Sequence, residues 1–211
     1  GTNVSDSGEV VVTGTAVVTD ANGNDVTKQF DVTTVNGMLT IKPVAIELTA
    51  NSASKKYDGT ELKDGGYKIS KGAFVGEEGL ANVTVVGSQT LVGSSDNEIT
   101  GYELKEGTLA ENYTITTVKG TLTVTDREEK YEITVEANSG EKTYDGTALT
   151  VSGFKTLSFV VEGQTYTVSG LTAEKSGTNV SDSGEVVVTG TAVVTDANGN
   201  DVTKQFDVTT V

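Results

Sequence analysis

The sequence predicts an all-β chain of tandem antiparallel β-sandwich domains stacked end to end, and three observations lead to this fold class. Short segments rich in Val, Thr and Ile alternate apolar and polar residues, which is the two-residue period of a half-buried strand. No segment of ten or more residues shows the 3.6-residue apolar period of an amphipathic helix. The chain also repeats itself at fixed intervals, as tandem domains do.

The longest repeat is an identical copy of 35 residues. Residues 1–35 and residues 177–211 both read GTNVSDSGEVVVTGTAVVTDANGNDVTKQFDVTTV. The copies are 176 residues apart, so the 211 residues comprise one period and a further 35 residues. Such identity indicates recent duplication of the underlying gene. We therefore expect the chain to be a window on a longer repeat protein, with incomplete domains at both ends.

The copied stretch predicts two strands joined by a turn. Residues 9–19 are rich in β-branched side chains and predict a strand that bends or bulges at Gly14. Residues 20–25 (DANGND) predict a tight turn, and residues 25–29 can form one helical turn. Residues 30–35 then predict a second strand.

Alternation within that second strand places Phe30 and Val32 on a core face. Asn36-Gly37 is a strong hairpin signal, so we expect the strand through Leu39 and Ile41 to return alongside it.

A second, weaker repeat with an offset of 87 residues defines the domains. Residues 43–62 align without a gap on residues 130–149, and residues 29–41 resemble residues 112–124. The alignment predicts four parts: residues 1–43 as the C-terminal half of a preceding domain, 44–125 as a complete domain, 126–130 as a short acidic linker, and 131–211 as a second domain that lacks its last strand. The short linkers favour stiff junctions.

Alternation along the aligned strands also predicts the core. In the first domain the residues expected inside are Ile46, Leu48, Tyr113, Ile115, Leu122 and Val124; in the second they are Ile133, Val135, Phe206 and Val208. Between these strands, residues 81–87 and 157–168 look extended, and residues 75–80 can hold a helical turn.

Composition excludes several classes of function. The chain has no Cys and no His, so it lacks thiol nucleophiles, imidazole bases and the usual zinc ligands, and we expect no enzyme. The net charge of −15 disfavours nucleic acid and anionic lipid as partners. No run of 18 apolar residues is present, so we expect no membrane contact by this segment.

Each domain carries a Tyr-Asp-Gly-Thr motif near its start. The motif residues are Tyr57, Asp58, Gly59 and Thr60 in one domain and Tyr144, Asp145, Gly146 and Thr147 in the other. Asp-Gly favours a tight turn, and the Tyr ring is expected to pack with its hydroxyl bonded to backbone. A structural role is favoured over a role in ligand binding.

Calcium is the one cofactor that the sequence leaves open. Both DANGND stretches carry oxygen side chains at alternate positions, as calcium loops do, although the distal Glu of an EF-hand is absent and a plain turn is favoured. The residues concerned are Asp20, Asn22, Asn24 and Asp25 in one copy and Asp196, Asn198, Asn200 and Asp201 in the other. At the acidic linker, Asp126, Glu128 and Glu129 are expected to be solvated rather than to clamp a cation.

The motifs also suggest a family. The pairing of Tyr-Asp-Gly-Thr with the ending Asn-Tyr-x-Ile…Gly-x-Leu-Thr-Val at residues 112–124 resembles the YDG and MBG-type repeats of bacterial surface adhesins. Residues 29–41 have the same ending with Gln-Phe in place of Asn-Tyr. The resemblance covers both domains in outline. It implies Ig-like modules in an extracellular protein of the bacterial cell surface.

The repeats, the short junctions and the lack of reactive chemistry predict a structural stalk or fibre that projects or polymerises binding domains away from the cell. Its partners would be neighbouring copies of the same repeat, joined head to tail. The alternative is an adhesin module that binds a host glycan or protein, which would need an exposed aromatic or apolar patch. An internal Lys–Asn isopeptide crosslink would suit a stalk, but no arrangement of residues singles one out.

Overall fold

The computed structural model describes all 211 residues, and it is an all-β structure with almost no helix. Five three-residue 3₁₀ turns lie at Val4–Asp6, Thr27–Gln29, Ala110–Asn112, Val180–Asp182 and Thr203–Gln205. The strands in chain order are β1 (Gly8–Val10), β2 (Gly37–Leu39), β3 (Val44–Ala50), β4 (Ala53–Lys56), β5 (Tyr67–Lys71), β6 (Leu80–Val86), β7 (Gly93–Leu104), β8 (Tyr113–Val118), β9 (Gly120–Thr125), β10 (Tyr131–Val135), β11 (Leu149–Ser152), β12 (Ser158–Val161), β13 (Gln164–Gly177), β14 (Val188–Asp196) and β15 (Phe206–Thr210).

The chain divides into two compact units, and the first comprises residues 1–51, 65–85 and 98–119. Its main sheet has the strand order β5-β3-β8, in which β3 pairs antiparallel with β5 and parallel with β8. Strands β1 and β2 form a separate antiparallel pair. The core of this unit is made by Ile46, Leu48, Ala50, Ile99 and Tyr113.

The second unit comprises residues 52–64, 86–97 and 120–211. Here β9 lies between β4, with which it is parallel, and the first part of β7, with which it is antiparallel. The long β13 pairs with β11, β12 and β14, while β10 pairs in parallel with β15. The core is made by Tyr57, Val124, Ile133, Val135, Tyr166, Val168, Val194, Val202 and Phe206.

The prediction that Phe30 and Val32 face a core is wrong, because residues 30–34 pair with no strand and both side chains are exposed. The ten core residues predicted from the aligned strands lie inside, although Val124 belongs to the core of the second unit and not of the first. Of the ten, eight are buried, and Ile115 and Val208 are half-buried against the same clusters. Residues 81–87 and 157–168 are extended as predicted, in β6 and in the β12–β13 hairpin. Residues 75–80 form a hydrogen-bonded turn rather than a helix, with the Glu78 N–H donating to the Val75 carbonyl. The compact units group residues that contact one another, whereas the predicted domains are repeats of the sequence. The predicted domain boundaries therefore stay a prediction.

Two predictions about strand pairing are wrong. The sheets are mixed rather than antiparallel, since β3·β8, β4·β9 and β10·β15 are all parallel pairs. The hairpin predicted at Asn36-Gly37 is also absent, because residues 30–34 form no sheet strand and β2 pairs with β1 instead. At the aligned position, β8 and β9 are separated only by Lys119, yet they belong to different sheets. A glycine after a strand marks a change of direction, but it does not determine which strand pairs with the next one.

The two identical 35-residue copies adopt different structures. In the first copy only Gly8–Val10 forms a strand, and residues 12–20 and 30–34 do not pair in a sheet. In the second copy the equivalent of residues 12–20 is β14 and the equivalent of residues 30–34 is β15, whereas residues 184–186 are not a strand. Phe30 is accordingly 56% exposed, while its copy Phe206 is 3% exposed.

The predicted bend at Gly14 is present in the second copy, at Gly190. Strands β13 and β14 slip in register between Ser169 and Leu171, which is a β-bulge. Gly190 has φ +104°, and a Cβ there would lie 2.2 Å from the carbonyl oxygen of Gly170. Only glycine fits this contact.

We predict that Gly190→Ala destabilises the fold far more than Gly14→Ala. Both glycines have positive φ, but a Cβ at Gly14 would meet no atom within 4 Å. The backbone clash at Gly190 should add a cost of about 1–3 kcal/mol to the free energy of unfolding. Urea denaturation of the two variants measures the difference. Equal losses in the two variants would contradict the bulge contact.

Candidate functional site

The Tyr-Asp-Gly-Thr motifs form a compact hydrogen-bonded turn with a lysine that precedes them. Lys55 Nζ donates to Asp58 Oδ1 (2.7 Å), to the Thr60 carbonyl (2.8 Å) and to Thr60 Oγ1 (2.6 Å). Thr60 in turn donates its N–H and its hydroxyl to Asp58 Oδ1. The turn is therefore closed by its own side chains.

The second motif repeats this network with nearly the same distances. Lys142 Nζ donates to Asp145 Oδ1 (2.6 Å), to the Thr147 carbonyl (2.7 Å) and to Thr147 Oγ1 (2.6 Å). Sequence reasoning missed both lysines, although the gapless alignment places Lys55 on Lys142 and so contained the signal. The motif is better written Lys-x-Tyr-Asp-Gly-Thr.

The carboxylates of these turns are held ionised by their neighbours. Hydrogen bonds from Lys142 and Thr147 lower the pKa of the exposed Asp145 carboxyl well below its usual range. Burial acts in the opposite direction at Asp58, but hydrogen bonds from Lys55 and Thr60 outweigh it and the pKa of Asp58 is lowered too. Carboxylates that accept several hydrogen bonds in this way stabilise a turn and are poorly suited to take up a proton near neutral pH.

The two motif tyrosines have opposite environments. Tyr57 is 1% exposed and packs in the core cluster that contains Tyr166 and Phe206. Its hydroxyl bonds no backbone group, contrary to the expectation from the sequence, and its polar neighbour is the hydroxyl of Tyr166. Tyr144 is 62% exposed. The motif alone therefore fixes the turn but not the burial of its ring.

Both DANGND loops are turns whose oxygens bind the loop itself. Asp20 accepts hydrogen bonds from the backbone N–H groups of Asn22 and Asn24 and from the Asn24 side chain, while Asp25 accepts two from Thr27. The second copy makes the same set, with Asp196 accepting from Asn198 and Asn200, and Asp201 from Thr203.

No three acidic side chains converge anywhere in the chain to hold a metal ion. The arrangement of both loops is that of a self-capped Asx turn.

The acidic linker is hydrogen-bonded on both sides through the buried side chain of Gln205. Gln205 Nε2 donates to Asp126 Oδ1 (2.6 Å), and Gln205 Oε1 accepts from the Arg127 N–H (3.0 Å). Arg127 Nη1 donates to the Tyr57 carbonyl and to the Tyr131 hydroxyl, both at 3.0 Å. Glu128 makes an exposed ion pair with Lys56 (3.5 Å). The linker is thus fixed by named contacts, and the carboxylates of Asp126 and Glu128 have separate partners.

A groove in the second unit lies next to the second of these motifs. It has a volume of about 740 Å³ and lies between residues 140–142 on one side and residues 184–186 on the other. Leu149 and Val151 lie along it, and the exposed Tyr144 belongs to its wall. Neither flanking segment is a strand.

No protein-family model matches the chain, and no curated protein and no solved structure matches it either. The helical segments are three-residue 3₁₀ turns, and none of them could span a bilayer as a helix.

We predict that Gln205→Ala destabilises the second unit, while Gln29→Ala leaves the protein unchanged. Removing the Gln205 amide strips the Asp126 carboxylate and the Arg127 N–H of their partners, which should cost about 1–3 kcal/mol in the free energy of unfolding. Gln29 has the same sequence context and is exposed. Chemical denaturation compares the variants, and a loss in both would contradict a specific role for Gln205.

We predict that Tyr57→Phe weakens the loss of stability at alkaline pH. Burial, together with the neighbouring Tyr166, raises the pKa of the Tyr57 hydroxyl. A raised folded pKa means that the stability is fully present below the unfolded pKa of about 10 and is lost as the pH rises above it.

Because the buried hydroxyl makes no hydrogen bond to the backbone, Tyr57→Phe should cost little at pH 7. The measurement is the urea midpoint between pH 7 and pH 11, with the exposed Tyr144→Phe as the control. A wild-type profile for Tyr57→Phe would show that this hydroxyl does not titrate with unfolding.

Proposed function

We propose that the chain is part of a structural stalk or fibre of an extracellular bacterial surface protein, without catalytic activity and without a cofactor. Its modules would be Ig-like domains of the YDG/MBG type. The Lys-x-Tyr-Asp-Gly-Thr turns support repeated modules of one type, because the same network of side chains recurs in both motifs at comparable distances.

The observation that carries the proposal is the hydrogen-bonded linker at residues 126–130. Residues 126 and 128–130 are exposed, but Gln205 bonds Asp126 and Arg127, and Arg127 bonds the Tyr57 carbonyl, so the linker is anchored to segments before and after it. Arg127 also lies over the Tyr131 ring, with its guanidinium carbon 4.0 Å from the ring centroid. A linker held in this way resists bending, which is what a stalk needs from its junctions.

The alternative function, binding a host glycan or protein, has weaker support. Such a site needs exposed rings, and the most exposed aromatic side chains are Tyr144 and Phe30. Both have buried counterparts, Tyr57 and Phe206, so their exposure comes from missing strand neighbours rather than from a binding surface. Exposed rings do remain at Tyr67 and Tyr102.

We predict that proteins of one, two and three tandem periods grow in length by a constant increment in solution scattering. With strands of about ten residues at 3.3 Å per residue, each domain and junction should add on the order of 35–45 Å, or roughly 70–90 Å per period. An increment that falls with each added period would contradict a stiff stalk.

A glycan array on one period tests the alternative function, and saturable binding of a glycan would favour it.

A further inference from the structure

We propose that a pocket in the first unit binds a small organic cation, with its ammonium group beside Glu78 and its apolar part against the neighbouring side chains. The pocket has a volume of about 480 Å³ and lies between β5 and the segment that leads into β6. Its larger lining residues are Tyr67, Ile69, Phe74, Glu78 and Leu80, and the other three are two glycines and an alanine. We call it the β5 pocket.

The β5 pocket exists because part of the core face of the β5-β3-β8 sheet is left uncovered. Tyr67 lies opposite Ala50 and Ile69 lies opposite Leu48, and residues directly opposite each other share one face of a sheet. Ala50 and Leu48 are buried, yet Tyr67 is 38% exposed and Ile69 is 42% exposed. The side chains that cover β3 therefore stop short of β5, and two large side chains on the core face border an open space.

The opposite wall of the pocket, residues 72–80, is held in place by Tyr113. The Tyr113 hydroxyl accepts a hydrogen bond from the Val75 N–H (3.0 Å) and donates one to Glu78 Oε2. The Tyr113 ring also packs on Phe74, with 4.8 Å between the ring centroids. One buried side chain thus positions both the carboxylate and an aromatic ring of the pocket.

Two glycines of this wall have backbone contacts that fix it further. Gly72 has φ +73°, and a Cβ there would lie 2.1 Å from the Ala45 carbonyl oxygen, so the chain passes β3 at a distance that only glycine allows. The Gly79 N–H donates to Thr108 Oγ1 (3.0 Å), and the Gly79 carbonyl accepts from the Lys105 N–H (2.9 Å). The pocket is therefore preformed, which lowers the entropy cost of binding a ligand.

The charge of the pocket selects a cation. Glu78 is the one charged residue in the lining, and no lining residue is basic. Its bond from Tyr113 occupies one acceptor position of a carboxylate that offers about four, so it can also accept from an ammonium group. The net charge of −15 on the chain adds to the attraction and opposes the approach of anions.

The size of the pocket and its rings restrict the cation to a small molecule with an apolar body. The volume falls in the range of roughly 300–1,000 Å³ that is usual for small-molecule sites. Tyr67 and Phe74 offer aromatic rings for a cation–π contact, and Ile69 and Leu80 offer apolar surface. A metal ion would need several oxygen ligands and fits poorly here. The site does not depend on the stalk proposal, because a stalk can exist with or without it.

Three probes with the same ring and different charge test the site: benzylammonium, benzyl alcohol and benzoate. Each is titrated into the ¹⁵N-labelled chain, and amide chemical shifts are the readout. Benzylammonium should bind saturably and shift the amides of residues 67–80. Benzyl alcohol should bind at least about tenfold more weakly, and benzoate should not bind. Equal binding of benzylammonium and benzyl alcohol, or no saturable shift with benzylammonium, overturns the proposal.

Two neighbouring glutamates provide the matched pair of variants for the charge. Glu78→Gln keeps an acceptor for the Tyr113 hydroxyl but removes the charge, so it should abolish the preference for benzylammonium while leaving the weak binding of benzyl alcohol unchanged. Glu77→Gln removes an exposed carboxylate outside the pocket and should change neither. A preference that survives Glu78→Gln, or that Glu77→Gln removes equally, overturns the proposal.

The exposed tyrosines test the contribution of the rings in the same way. Tyr67→Ala should weaken the binding of benzylammonium about tenfold, whereas Tyr102→Ala, at a tyrosine of similar exposure outside the pocket, should not. Equal effects of the two variants overturn the proposal. A final probe, Nα-acetyl-lysine methylamide, represents a lysine of a protein partner. If it binds more tightly than benzylammonium, the site takes a protein side chain, and the small-molecule proposal is overturned.

Discussion

Strand pairing in this protein depends on whether a second segment is present to satisfy the backbone N–H and C=O groups. The two identical copies show this without any difference in sequence. Residues 188–196 form β14 because β13 lies beside them, and the same sequence at residues 12–20 has no such neighbour and forms no sheet strand. The reverse holds for Gly8–Val10, which pairs with β2, and Gly184–Val186, which pairs with nothing. Intrinsic strand propensity is equal in each comparison, so the available partner decides the outcome.

This constraint separates what the sequence could predict from what it could not. Burial of Ile46 and Leu48 followed from alternation, since a two-residue period is a property of one strand alone. The place of β9 did not follow, because a glycine after a strand is equally compatible with a hairpin and with a step to another sheet. The parallel pairs escaped prediction for the same reason: they join segments that are about 70 residues apart in the chain.

The Tyr-Asp-Gly-Thr motif shows the same division inside one site. Its turn is local, and the network of lysine, aspartate and threonine forms identically whether the tyrosine ring is buried or exposed. The burial of the tyrosine ring, in contrast, depends on residues that are distant in the chain. Tyr57 is buried because the core of residues 131–211 covers it, alongside Val124 at the end of β9, and Tyr144 lies at the groove where the corresponding strand is missing. A short motif thus specifies its hydrogen bonds, whereas its packing needs the residues that follow in the repeat.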